Sequence, residues 1–232
     1  ILTFFLLEHP FSFLPSDQGR AFAVNGSLSK GKLRGVGFIF VLCFLISSVL
    51  FLPIDVEYVI YAILLFAMMI SGYLDDASKT PWNEYKKGLI DLVISIVAVL
   101  TYMNFNSTTI CFGADEIVIP KALFLILGVL LIWVSVNVTN CTDGVDGLCA
   151  SLCSVTLLAF GVLFAPILQK YAMANFLFLS VLFAYLYFNS SPSSMLMGDA
   201  GSRALGFYIA VIALKSTHPF IYILLAAVMI VD

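Results

Sequence analysis

Charge is scarce in this sequence. Only 11% of its 232 residues are Asp, Glu, Lys or Arg, while 62% are hydrophobic and the mean hydropathy is +1.07. A chain with so little polar surface cannot hide its apolar side chains in one water-soluble core. Histidine is nearly absent too: His9 and His218 stand alone, which leaves no cluster for a histidine metal site. The five cysteines (Cys43, Cys111, Cys141, Cys149 and Cys153) show no metal-ligand spacing and read as buried free thiols. No basic leader precedes a small-residue cleavage site, so no signal peptide is recognisable. No internal repeat is evident, which argues against a transporter built from two related halves. The net charge of -3 excludes little, since in such a chain placement outweighs the sum.

What is there is a series of apolar runs, at 35–53, 58–74, 89–103, 122–138, 148–167, 171–188, 204–214 and 220–231. Several approach the roughly 20 residues that carry a helix across the hydrocarbon of a bilayer. Backbone groups in lipid must be satisfied within their own segment, so these runs are helices. With the opening run 1–14, interrupted by Glu8, His9 and Pro10, the expectation is an all-α, polytopic transmembrane bundle of about nine spans, forming one integral membrane domain over 1–232. The start at Ile1 and the stop inside run 220–231 suggest that both ends are cut.

If each run crosses once, alternate loops share a side. One set holds 15–34, 75–87, 139–147 and 189–203, with Arg20, Lys30, Lys32, Arg34, Lys79, Lys86, Lys87 and Arg203; the other holds only Lys121, Lys170 and Lys215. The positive-inside rule predicts that the first set faces the cytoplasm. Asp75, Asp76, Asp143, Asp146 and Asp199 all fall in that set, each beside an apolar helix end. A bare carboxylate is costly there unless a cation or donor meets it. Asp17, Glu84, Asp115 and Glu116 read as solvated loop charges.

Three stretches carry the chemistry. In GYLDDASK (72–79) the adjacent carboxylates of Asp75 and Asp76 repel, and a divalent cation or a shared proton resolves such a pair; taken alone, a solvated loop is the more common explanation of such a pair. In NVTNCTDGVDGL (137–148), Asn137 and Asn140, and likewise Asp143 and Asp146, are three apart and share a face on a helical backbone. Gly144 and Gly147 let a bulky ligand approach the main chain. Two Asp at a helix start suit a metal–phosphate ester or a nucleobase better than a bare phosphate. In MLMGDAGSRALG (195–206), after Asn189, an Asp flanked by glycines with Ser202 and Arg203 following suits a carboxylate held against a metal or phosphate. Asp91, at the start of a run, is either a functional partner or a satisfied helix-end residue. Lys30, Lys32 and Arg34 are explained first as orientation signal.

LDDASK, NVTNCTDGVDGL and MLMGDAGSRALG, in this order, resemble the polyprenyl-phosphate N-acetylhexosamine-1-phosphate transferases, over about residues 35–214. The Thr before the first Asp of the middle motif is most similar to members that use UDP-MurNAc-pentapeptide. The resemblance implies ten spans in the intact protein and an active site facing the cytoplasm of a bacterial cell membrane. It implies attack of polyprenyl phosphate on the β-phosphate of a UDP-sugar, with release of UMP and a requirement for Mg2+. Carried over motif by motif, Asp199 would ligate Mg2+, and Asp75 would engage or deprotonate the lipid phosphate with Asp76 beside it. Asn140, Asp143, Gly144 and Asp146 would bind the nucleotide and diphosphate, and Asn189 the nucleoside–sugar portion. Lys79 and Lys30 would be basic contacts. A homodimer and inhibition by nucleoside antibiotics are also implied; no nucleic-acid partner is.

The chain departs from the family pattern at Leu196, where a Phe that stacks on uracil is usual, and at 31–37, which reads GKLRGVG where GTPTMGG is common. A His-rich segment expected near the C-terminus is absent from these 232 residues, as a cut after Asp232 would leave it. UDP-N-acetylglucosamine or a related UDP-HexNAc is the alternative donor. A CDP-alcohol phosphotransferase signature fails, because Ser151 follows Ala150 and Phe160, Phe164 and Leu168 occupy its later Gly and Asp positions. An intramembrane aspartyl protease would need Gly at position 196. A membrane transporter would place its charges near the bilayer midplane rather than at one face.

Overall fold

A computed structural model describes residues 1–9, 12–17, 29–78, 80, 82–113 and 115–231. Each apolar run becomes helix: α1 (Leu2–Glu8), α2 (Gly37–Phe51), α3 (Val56–Asp76), α4 (Glu84–Phe105), α5 (Lys121–Thr142), α6 (Leu148–Leu163), α7 (Ala165–Leu168), α8 (Lys170–Asn189), α9 (Gly198–Lys215), α10 (Pro219–Leu225) and α11 (Ala227–Val231). Among the described residues α3, α4, α5 and α8 are long and apolar enough to cross a membrane, and α2 and α6 are shorter apolar helices. Run 148–167 is divided, because Pro166 has no N–H to continue a helical ladder, and α7 is a separate turn. Run 220–231 is also divided, at Ala226. The all-α bundle expected from the runs is the fold observed.

Two helix starts are closed by side chains: the Asp55 carboxylate accepts from the Tyr58 N–H ahead of α3, and the Asn83 side chain from the Tyr85 N–H ahead of α4. Outward positions on α5 (Leu123, Ile126, Leu127, Leu130 and Trp133) repeat every three to four residues and are exposed, an apolar stripe suited to lipid. By contrast α9 is enclosed; every residue from Gly198 to Leu214 is buried. It packs most extensively on α3 and α5, and also against α2, α6, α10 and α4.

Loop 104–121 holds a small antiparallel hairpin, β1 (Thr109–Phe112) with β2 (Asp115–Val118), in which Ile110 faces Ile117. Its Cys111 N–H donates to the Thr217 carbonyl at 2.8 Å, tying it to the turn after α9. Beside that turn, Lys215 Nζ meets both Glu57 oxygens at 3.0–3.1 Å and Asn106 Oδ1 at 2.7 Å. Thus α3 and α9 run antiparallel, clasped at this end by Glu57 and Lys215. The acidic motifs lie at the opposite end.

Candidate active site

Helix ends, not one loop, build the site. The C-terminus of α3 brings Asp75 and Asp76, the first turns of α4 bring Lys87 and Asp91, and the first turn of α9 brings Asp199. The segment 33–37 runs alongside 195–197: Leu196 N–H donates to the Leu33 carbonyl at 2.8 Å, Val36 N–H to the Leu196 carbonyl at 3.2 Å and Gly37 N–H to the Met197 carbonyl at 3.0 Å. Leu196 is thereby a buried strap residue.

The backbone packs closely here. At Gly198 φ is +66°, and an added Cβ would stand 2.3 Å from Asp76 Oδ2. At Gly72, on α3, an added Cβ would lie 2.3 Å from the carbonyl oxygen of Asp199. Only glycine allows α3 and the entry to α9 to approach so far.

Two basic side chains bridge the carboxylates of Asp17, Asp75, Asp76 and Asp199. Arg34 donates through Nε to Asp76 Oδ1 at 2.8 Å, and its two other nitrogens reach Asp17 at 3.4 Å and Asp199 Oδ1 at 3.5 Å. Lys87 Nζ lies 2.7 Å from Asp75 Oδ2 and 3.3 Å from Asp199 Oδ2. Asp76 accepts further from the Ala200 N–H at 3.1 Å, at the start of α9, and Asp75 from the Trp82 N–H at 2.6 Å. The Asp76 side chain is fully buried, those of Asp75 and Asp199 are nearly so, and Arg34 and Lys87 are 30% and 17% exposed. Burial would lower the Arg34 pKa, but the carboxylates of Asp76, Asp199 and Asp17 outweigh it and raise it further. Arg34 therefore stays cationic at any working pH.

A second group adjoins through loop 143–147. Ser193 donates to Asp146 from its N–H at 3.0 Å and from its hydroxyl at 2.7 Å, and Lys32 Nζ reaches Ser193 Oγ at 2.8 Å and Asp146 at 3.6 Å. Burial pushes the Asp146 pKa up, but these donors and Lys32 bring it below the ordinary carboxylate value. Asn189 is buried and its amide is committed on both sides: Oδ1 accepts from the Gly147 N–H at 3.0 Å and Nδ2 donates to the Met195 carbonyl at 2.9 Å.

Of the residues singled out in the sequence, Asp75, Asp76 and Asp199 share the basic bridges, while Asp146 and Asn189 join the loop that leads to them. Asn140 and Asp143 are half-buried at the end of α5, and Gly144 is exposed beyond it. Lys30 is exposed, and its neighbours Lys32 and Arg34 make the contacts. Lys79 lies outside the described residues. Sequence reasoning missed Arg34, Lys87, Lys32 and Ser193 as site residues; the one signal for the three basic residues was a positive charge at a span end, which orientation explains as well, and Ser193 carried none.

No group of three or more His, Cys, Asp or Glu close enough to hold a metal ion occurs among the described residues. Mg2+ needs none, because it is commonly held by one or two carboxylates together with substrate phosphates and water. The hard oxygens of Asp199, near two cations able to move aside, fit that mode.

A helical bundle with four helices long and apolar enough to cross a membrane, and with carboxylates and basic arms converging at one end, is the architecture of a multi-pass membrane protein. Residues 58–217, more than half of the chain, match glycosyl transferase family 4. The chain is 34% identical to the phospho-N-acetylmuramoyl-pentapeptide-transferase of Treponema pallidum (strain Nichols), across 99% of its own length and 69% of that protein. The enzyme of the same name from Microcystis aeruginosa is 32% identical over 78% of this chain and 53% of its own, and that of Wolinella succinogenes 28% over 91% and 68%. The chain belongs to glycosyl transferase family 4, and it is a phosphosugar transferase.

Proposed function

We propose that the protein transfers phospho-N-acetylmuramoyl-pentapeptide from its UDP-linked donor to polyprenyl phosphate, forming lipid I and releasing UMP. The observation that carries this reading is the pair of bridges, Arg34 across Asp76 and Asp199 and Lys87 across Asp75 and Asp199, at one end of the bundle. A lipid phosphate can reach only the membrane boundary, and two anionic phosphates can meet there only with their charge offset.

Mg2+ at Asp199 supplies that charge neutralisation when it is bound. Lys87, shared between Asp75 and Asp199, stands where it can swing onto a phosphate oxygen. Asp75 orients the lipid phosphate and accepts its proton when it arrives protonated. A lipid phosphate oxygen then forms a bond to the β-phosphorus, the bond from that phosphorus to the bridging oxygen breaks, and UMP leaves with the electron pair. Asp76, fixed by Arg34 and the Ala200 N–H, keeps the two helix ends in register. Asn140, Asp143, Gly144 and Asp146 receive the nucleotide and diphosphate. Asn189 shapes that loop through Gly147 and Met195. The basic loops favour a cytoplasmic site in a bacterial cell membrane.

The full protein with Mg2+, polyprenyl phosphate and UDP-MurNAc-pentapeptide is expected to release UMP, and UDP-N-acetylglucosamine in its place is expected to give little. Absence of UMP with either donor refutes the transfer reading, and preference for UDP-N-acetylglucosamine refutes the donor assignment. Asp199→Asn is expected to abolish turnover at saturating Mg2+ while the protein remains folded.

A further inference from the structure

Asp91 and Arg203 form an ion pair between α4 and α9, with side chains 4% and 1% exposed. Lys87 and Asp91 stand four residues apart on α4, and Asp199 and Arg203 four apart on α9, so each pair shares one helical face. The two helices therefore face each other with two rungs of opposite polarity: Lys87 to Asp199 at 3.3 Å, then Asp91 to Arg203. Arg203 spends only Nη2 on Asp91; its Nε and Nη1 are buried and find no partner among the described residues. This guanidinium sits one helical turn from Asp199 with two donors unsatisfied.

The three cations near Asp199 differ in freedom. Arg34 and Lys87 are 30% and 17% exposed, so an arriving ion can displace both toward water. Arg203 is enclosed and has no such exit. Freed from Asp91, it would satisfy its charge and spare donors on the nearest carboxylate along its own helix, Asp199, because a buried unpaired charge is far more costly than a paired one.

We propose that Asp91 is a positioning residue that holds Arg203 turned away from Asp199, keeping that carboxylate open to a divalent cation. The proposal rests on the assignment of Mg2+ to Asp199 above. It gives an intramembrane pair a role in metal affinity rather than in stability alone.

The test uses the full protein in detergent with saturating UMP, titrated with Mn2+ and read by the free-ion EPR signal, with no turnover required. Wild type is expected to bind Mn2+ and Asp199→Asn to lose it. Asp91→Asn is expected to weaken binding about tenfold, the size of one charge-assisted hydrogen bond to a carboxylate. Asp91→Asn with Arg203→Met removes the competing cation along with its keeper and is expected to return to within about twofold of wild type, since neutral replacement of both partners of a buried pair is commonly tolerated. A merely structural pair would leave the double variant at least as impaired as the single.

Unchanged binding in Asp91→Asn, against intact and Asp199-dependent binding in wild type, overturns this proposal and leaves the metal assignment standing. Wild-type binding that Asp199→Asn does not reduce overturns both. If Asp91→Asn is not recovered folded, the double variant decides alone: near-wild-type affinity supports the proposal, and a loss of about fivefold or more, roughly 1 kcal/mol, overturns it.

Discussion

Gly198→Ala tests the site at its tightest point. The new methyl carbon would lie 2.3 Å from Asp76 Oδ2, 2.8 Å from Asp76 Cγ and 2.8 Å from the Gly35 nitrogen, whereas ordinary contact begins at 3.4 Å. The Asp76 carboxylate must therefore retreat by about 1 Å, which is the scale of misplacement that costs on the order of 100-fold in rate. Retreat also weakens its bonds to Arg34 and the Ala200 N–H. Backbone strain adds about 1–2 kcal/mol for alanine in the left-handed region.

Gly31→Ala separates the two effects. Gly31 has φ +88° and nothing within 4 Å of an added Cβ among the described residues, so it carries the strain without the collision. Both variants are expected to melt a few degrees lower, at about 2–4 °C per kcal/mol for a chain of this size. Only Gly198→Ala is expected to lose UMP release, by about 100-fold in kcat. Equal activity of the two would show that displacement of Asp76 does not matter, and would refute the role given to it.

Two further outcomes follow from the same contacts. The folded pKa of Asp146 lies below its ordinary value, so its contribution is present above the unfolded carboxylate pKa and is lost as pH falls through the folded one. Ser193→Ala removes a donor to Asp146 and is expected to move the acid limb of donor binding to higher pH; an unmoved limb counts against this clasp. Lys215→Met leaves Glu57 buried without its cation and is expected to cost about 3 kcal/mol by thermal unfolding in detergent, with most of the loss recovered when Glu57→Gln is added.

Most of the carboxylates that meet at the candidate site stood out in the sequence, and the cations that meet them did not. Asp75, Asp76, Asp143, Asp146 and Asp199 each stand at the end of an apolar run, where a carboxylate demands a reason. Arg34 and Lys87 also stand at run ends, but positive charge is expected there for orientation. Their partners lie up to 165 residues away in the chain, so no local pattern marks them. Asp17 read as a solvated charge, yet it is buried and accepts from Ser29 and Arg34. Asp91 could be flagged as an intramembrane carboxylate, but its answer was Arg203, 112 residues on. The β1–β2 hairpin escaped notice because its tie is tertiary, from Cys111 to Thr217, and β2 is exposed throughout.

The enclosed position of α9 constrains how the protein is made. With Asp199, Arg203 and Lys215 in its 18 residues, α9 is not among the helices apolar enough to cross a membrane by composition. Left alone in lipid, it would expose charges whose insertion costs several kcal/mol. The groups that satisfy those charges (Arg34, Asp91, Glu57 and Asn106) all precede it in the sequence. The ribosome thus delivers α9 after the segments that carry its counter-charges. Synthesis from N- to C-terminus leaves the candidate site open until α9, which carries Asp199, has been made.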